Sequence, residues 1–278
     1  MREVRIAEEA GACYGVERAL RLAHDAAKHA DGSVHTLGPL IHNPLVIADL
    51  QSEGVTAVES PLHAAVGSTL LLRAHGVTPE LEATAREHGL EVIDATCPFV
   101  KKVHTAAQRL IDQGYDVLVV GEKGHPEVEG TLGHALGSRV VGSAEDIQQM
   151  TFGRRVGLVV QTTLTHETLR EVVGALVGRC EEVRLIDTIC EATNKRQQAA
   201  KELASEADVM IVIGGRNSAN TTHLADICKA QCARTHHIES AAEIEDSWLV
   251  GAELVGVTAG ASTPAEHINE VVEKLEAL

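Results

Sequence analysis

The sequence predicts an α/β fold of parallel units, and three observations carry that expectation. Short runs of Val, Ile and Leu alternate with helical stretches along the whole chain, as strand–helix–strand units with parallel sheets require. Most of these runs close on Gly or a polar residue just before a helix begins. One set of motifs also recurs three times at matched spacing, the mark of a repeated structural unit. The 278 residues suffice for three similar domains, each with its own small core.

Strand signals fall at residues 4–7, 69–73, 91–94, 116–120, 156–160, 183–186, 209–213 and 254–257. Each is a short aliphatic or β-branched run bounded by turn formers. Helical periodicity covers residues 16–28, 98–113, 166–177, 194–206 and 264–275, and Pro98 suits a first helical position. No low-complexity stretch, Pro/Ser-rich linker or run of like charge separates the units. The boundaries are therefore expected to be tight: 14–96, 97–190 and 191–278, with residues 1–13 completing the last sheet.

The repeat is anchored on Cys13, Cys97 and Cys190, which lie 84 and 93 residues apart. Each ends a strand or turn and opens a helix with Lys or Arg near its first turn. The segments are Cys13-Tyr-Gly-Val-Glu-Arg18, Cys97-Pro-Phe-Val-Lys-Lys102 and Cys190-Glu-Ala-Thr-Asn-Lys-Arg196. A second polar loop follows 28 or 29 residues later, at His42-Asn43, Gly124-His125-Pro126-Glu127 and Asn217-Ser218-Ala219-Asn220. A third ends a further strand, at Ala74-His75-Gly76, Gln161-Thr162-Thr163 and Ala259-Gly260-Ala261-Ser262. All these loops fall at the carboxyl ends of strands, where open parallel sheets bind ligands. Around a pseudo-threefold axis they would bring three cysteines together within a polar ring.

Composition narrows the function. With 24 basic and 40 acidic side chains the formal charge is −16, which opposes nucleic acid and anionic membranes as partners. Aromatic residues are only Tyr14, Phe99, Tyr115, Phe152 and Trp248, too few for a base-stacking groove. No apolar run approaches the roughly 18 residues of a membrane span. The opening residues read as a strand and not as a signal peptide, so a cytoplasmic protein is expected. In that compartment the six cysteines are expected to be thiols.

Three thiols in register, each at a helix N-terminus where negative charge is favoured, can hold iron–sulfur or zinc. No Cys-x-x-Cys pair supplies the usual zinc signature. Three ligands without a fourth leave an open position that can act on substrate. Cys180, Cys228 and Cys232 fall outside the register and are expected to pack as small hydrophobes. His42, His75 and His125, with Ser218, Asn220 and Ser262, supply donors for an anion of several oxygens, and a diphosphate fits best. The competing reading gives the three histidines to zinc, in a metal-dependent phosphate-ester hydrolase. Glu127, in the first turn of a helix, can deliver a proton, while Thr162 and Thr163 can hold a hydroxyl. The Gly-x-Gly-x-x-Gly and Walker A sequences are absent, so electrons would have to come from another protein.

These motifs, taken in order over the whole chain, resemble the LytB/IspH family of the non-mevalonate isoprenoid pathway. The resemblance rests on Gly11-Ala-Cys13-Tyr-Gly-Val-Glu-Arg18, His42-Asn43, Ala74-His-Gly-Val77 and Asp94-Ala-Thr-Cys97-Pro98. It continues through Gly124-His-Pro-Glu-Val-Glu-Gly130, Gln161-Thr-Thr-Leu164, Thr188-Ile-Cys-Glu-Ala-Thr193, Asn217-Ser-Ala-Asn220 and Thr258-Ala-Gly-Ala-Ser262. It implies three α/β domains in a trefoil around a 4Fe–4S cluster with three ligands, Cys13, Cys97 and Cys190, and one open iron. It implies diphosphate binding by His42, His75, His125, Ser218, Asn220 and Ser262. Thr162 would meet the substrate hydroxyl with Thr163 beside it, and Glu127 would donate the proton. The implied reaction is the two-electron reductive dehydration of 4-hydroxy-3-methylbut-2-enyl diphosphate to isopentenyl and dimethylallyl diphosphates, with ferredoxin or flavodoxin as electron donor. Some members carry Ser where this chain has Ala219, whose backbone N–H remains to bind phosphate.

Overall fold

The computed structural model describes residues 2–278. Twelve strands and ten α-helices alternate along them. The strands are β1 Glu3–Ile6, β2 Val34–Leu37, β3 Val55–Val58, β4 Thr69–Leu72, β5 Glu91–Asp94, β6 Asp116–Val120, β7 Arg139–Val141, β8 Arg155–Val160, β9 Glu182–Leu185, β10 Val209–Ile213, β11 Thr235–Ile238 and β12 Leu254–Ala259. The helices are α1 Tyr14–His29, α2 Pro44–Ser52, α3 Pro79–Glu87, α4 Pro98–Asp112, α5 Pro126–His134, α6 Ala144–Gln149, α7 His166–Leu176, α8 Glu191–Glu206, α9 Ala219–Gln231 and α10 Ala265–Ala277. They form an α/β fold of three four-stranded parallel sheets.

The chain divides into two compact units. The middle unit comprises Glu17–Ile41 and Val46–Cys190. It holds two sheets, ordered β3-β2-β4-β5 and β7-β6-β8-β9. Their inner strands are apolar because both faces are covered: Leu70, Leu71 and Leu72 of β4 and Leu118, Val119 and Val120 of β6 are buried, as parallel sheets flanked by helices require. Each such side chain contributes roughly 1.5–3 kcal/mol on burial. Helix α4 turns Val103, Ala107 and Leu110 into the second core. It lies close because β8 carries Gly157, where a Cβ would stand 3.0 Å from Leu110.

The terminal unit comprises the segment ending at Val16, His42–Leu45 and Glu191–Leu278. Its sheet runs β1-β12-β10-β11, with Glu3 opposite Leu254 and Ile6 opposite Val257. Ile268, Val271 and Leu275 of α10 join one core of the sheet. Ala200, Leu203 and Ala204 of α8 and Leu224 of α9 join the other. Cys228 and Cys232 are buried in that second core, and burial followed by the neighbouring Cys232 pushes the Cys228 thiol up to about 12. No helix among the described residues is long and apolar enough to cross a membrane.

The loops that carry the sequence motifs all leave the carboxyl ends of strands: 73–78 after β4, 121–125 after β6, 161–165 after β8, 214–218 after β10 and 260–264 after β12. The run 69–73 ends one residue early, at Leu72, because Arg73 belongs to the turn. Its Nε donates to the Gly76 carbonyl at 3.2 Å.

Candidate active site

Each cysteine of the repeat is fixed by the same backbone hydrogen bond. Cys97 N–H donates to Ala74 O at 2.9 Å, Cys190 N–H to Thr162 O at 3.0 Å and Cys13 N–H to Ala261 O at 3.1 Å. The accepting loop therefore precedes its cysteine in the strand order of the sheet: β4 for Cys97, β8 for Cys190 and β12 for Cys13. Each cysteine directly precedes a helix, α4, α8 or α1, and each is partly accessible. Among the described residues no three His, Cys, Asp or Glu side chains stand gathered as a metal cage. The fit to a cluster lies in the donors: three accessible thiols held by backbone bonds at helix N-termini, which favour negative charge, and soft sulfur suits iron–sulfur.

In the middle unit, the loop after β6 and the loop after β8 meet through Glu127. Val128 and Gln161 press so closely on Gly121 that a Cβ there would lie 2.8 and 2.7 Å from them. Gln161 ties the two loops: its Oε1 accepts the Glu122 N–H at 2.9 Å, and its Nε2 donates to Thr163 Oγ1 at 2.9 Å. Glu127 is 2 % exposed. Its two carboxyl oxygens accept the N–H and the hydroxyl of Thr162, each at 2.7 Å. Burial raises its pKa to about 7, against the Thr162 hydrogen bonds that favour the charged form. A carboxyl that titrates near neutrality can hold a proton and give it up.

His125 caps helix α5. Its Nδ1 accepts the Glu127 N–H at 3.1 Å, which places the ring proton of the neutral form on Nε2. The His75 ring meets the His125 ring edge to face, with centroids 5.8 Å apart. His75 sits in the tight turn where Gly76 takes φ +80°. The Cys97 turn is built by Asp94, whose Oδ1 accepts the Thr96 N–H at 2.9 Å, and by Arg18, which donates to the Asp94 and Thr96 carbonyls.

The terminal unit gathers another part of the set. Asn43 Nδ2 donates to Ser262 O at 2.8 Å, and Ser262 Oγ donates to His42 O at 3.1 Å. Ser218 caps α9 by accepting the Thr221 N–H at 3.3 Å. Ala219 and Asn220 open that helix. Asn220 is buried, and its Nδ2 has no hydrogen-bond partner. Close to Cys13, Gly11 takes φ +100°, and buried Arg196 donates to its carbonyl at 2.8 Å.

Sequence reasoning assigned no role to Gln161 or Arg196. The signal for Arg196 is its place in the third repeat, where Lys or Arg follows each cysteine. Gln161 gives none beyond its position in the third loop.

A family model described as LytB protein matches residues 4–276. The 4-hydroxy-3-methylbut-2-enyl diphosphate reductase of Geobacter sp. (strain M21) is 47% identical, covering 99% of this chain and 98% of its own. That of Aquifex aeolicus is 46% identical over 99% and 96%. A solved structure described as (E)-4-hydroxy-3-methyl-but-2-enyl diphosphate reductase, the terminal enzyme of the non-mevalonate pathway, is 46% identical over the full length of both chains, with a TM-score of 0.75. The E-1-hydroxy-2-methyl-but-2-enyl-4-diphosphate reductase from Plasmodium falciparum is 27% identical over 98% of this chain and 87% of its own, with a TM-score of 0.94. A match of this extent, on motifs placed at the strand ends of three parallel sheets, means that the chain belongs to the LytB family.

Proposed function

We propose that this chain is an iron–sulfur reductase that converts 4-hydroxy-3-methylbut-2-enyl diphosphate to isopentenyl and dimethylallyl diphosphates. The balance is one substrate, two electrons and two protons in, and one water out with either product. The observation that carries the reading is the buried Glu127–Thr162 pair, in a chain whose relatives bear the reductase name. Those names also favour reduction over the phosphate-ester hydrolase reading.

Cys13, Cys97 and Cys190 would hold a 4Fe–4S cluster, which when bound supplies electrons and Lewis acidity at an iron without a protein ligand. His75 and His125 would bind the diphosphate, His125 through Nε2, since its Nδ1 accepts at the helix cap. His42, Ser218, Asn220 and Ser262 would add donors, with the Ala219 N–H at the start of α9. Glu127 keeps its proton near neutral pH because it is buried. The Thr162 hydroxyl, already bonded to it, would hold the substrate hydroxyl and relay that proton to the departing oxygen. Thr163 would orient the same end. Ferredoxin or flavodoxin would deliver electrons one at a time.

The test is the iron and acid-labile sulfide content of protein purified without oxygen, with turnover of the diphosphate by a chemical reductant. About four of each per chain, lost in Cys97→Ala, together with both products, is expected. Zinc without sulfide, and release of phosphate in place of reduction, would establish the hydrolase.

A further inference from the structure

Helix α4 carries an imidazole on its apolar stripe. His104 lies among Val100, Val103 and Ala107 and is 6 % exposed. Its Nε2 is buried and has no hydrogen-bond partner. The ring stacks on His134, the last residue of α5, with centroids 4.1 Å apart and planes 19° from parallel. His134 in turn makes a hydrogen bond with the Val77 backbone.

The edge of the His104 ring faces backbone. A Cβ on Gly76 would stand 2.9 Å from His104 Cε1 and 3.3 Å from Nε2, and one on Gly130 would stand 3.6 Å from Nε2. Gly130 also faces Gly76 itself: its Cβ would lie 3.5 Å from the Gly76 carbonyl carbon and 3.6 Å from the Val77 nitrogen. One turn on, a Cβ at Gly133 would lie 2.6 Å from Thr78. The loop that carries His75 is thus pressed against the helix that carries His125 and Glu127, and the flat ring fills the wedge beside their contact. Burial keeps His104 neutral, with a pKa of about 4, so the wedge does not change charge near neutral pH.

We propose that His104, stacked on His134, is a positioning residue that sets the distance between the His75 loop and helix α5, and so aligns His75 with His125 and Glu127. The proposal rests on the reductase reading for its substrate and on geometry alone for the brace. A thin planar side chain suits the gap, because an sp³ branch at this position would push Gly76 and Gly130 apart.

The test is a cycle of His104→Ala, Gly76→Ala and the double variant, on cluster-loaded enzyme and on unloaded protein. With 4-hydroxy-3-methylbut-2-enyl diphosphate, His104→Ala is expected to raise KM and lower kcat, for a fall in kcat/KM of at least thirtyfold at unchanged iron content. Gly76→Ala strains the φ +80° turn as well as colliding with the ring, and the double variant, which relieves only the collision, should regain at least threefold over Gly76→Ala alone. On unloaded protein, amide exchange at residues 74–78 and 126–131 should speed up at least tenfold in His104→Ala, with β6 and β8 unchanged. If His104→Ala yields no folded protein, His104→Gln carries the same measurements. Kinetic constants within twofold of wild type, or no coupling in the cycle, would overturn the proposal. Wild-type protein that leaves the diphosphate unreduced would overturn the reductase reading instead, and the exchange experiment would still decide the brace.

Discussion

The polar edges of the two units are made from the same kinds of parts, loops at strand ends that lead into helices, yet they satisfy their polar groups differently. In the middle unit both oxygens of buried Glu127 are occupied by Thr162. In the terminal unit the Asn220 amide nitrogen and the hydroxyls of Thr221 and Thr258 are buried with no hydrogen-bond partner. A buried polar group left without a partner costs about 1–3 kcal/mol. The Glu127 carboxyl of the middle unit is therefore already held on both oxygens. In the terminal unit the Asn220 Nδ2 at the first turn of α9 is a donor left over, and in the proposed function it meets ligand oxygens.

The sharpest way to break this contrast is Glu127→Gln. The Gln carbonyl can accept the Thr162 N–H and its amide can donate to Thr162 Oγ1, so fold and metal content should persist. Turnover should fall by about 10²–10⁴, the usual worth of a positioned acid, in an anaerobic reductase assay. Undiminished turnover would remove the acid from the middle unit.

The next effect is on stability. A folded-state pKa of about 7 against 4.5 unfolded means that the native protein keeps a proton the unfolded chain has released. Stability is then greatest below pH 4.5 as far as this group is concerned. It falls as pH rises to about 7, by on the order of 3 kcal/mol. Urea unfolding of cluster-free protein should show this slope, and Glu127→Gln should lack it. For the same reason kcat should fall on the alkaline side of about pH 7, where Glu127 has lost its proton.

Asn220→Ala sharpens the other half of the comparison. The Asn220 Nδ2 has no hydrogen-bond partner to lose, so unfolding free energy should change by less than about 1 kcal/mol. KM for the diphosphate should rise about tenfold, near 1.4 kcal/mol for one neutral donor to a charged oxygen. A large stability loss with unchanged KM would reverse the assignment. The smallest effect is expected at Thr258, fully buried in β12. Thr258→Val replaces an unpartnered hydroxyl by a methyl and should be neutral or stabilise by up to about 1 kcal/mol, read as a shift in the urea midpoint.

The parts of this molecule that were legible in the sequence are those where one physical signal dominates. The strands β4, β6, β8, β10 and β12 are inner strands with uninterrupted apolar runs, and their positions follow from composition. The strands β2, β3, β7 and β11 gave no signal. They have three or four residues each, and a Thr-His-His-Ile run such as β11 pairs with β10 through its backbone while its side chains say nothing about a sheet. Helices α3 and α6, of nine and six residues, are too short for periodicity to emerge. The motif loops were legible as loops because glycine and polar residues interrupt aliphatic runs. Which loops meet was less so: Glu127 and Thr162 are 35 residues apart, and spacing in the repeat gives no reason for one to bond the other. The His104–His134 stack was hidden because a single histidine on an apolar helix face reads as core.

The pairing of β1 with β12 has a consequence for the order of assembly. Residues 3–6 lie alongside residues 254–257, and the carbonyl that takes the Cys13 N–H belongs to Ala261. On the ribosome β1 is made long before the strand it pairs with. The middle unit, complete once Cys190 has been made, can close around its two sheets while the leading segment waits. Contacts of such long sequence separation form slowly. The Cys13 backbone thus finds its hydrogen-bond partner only once β12 and the loop behind it have been made, well after Cys97 and Cys190 have met theirs.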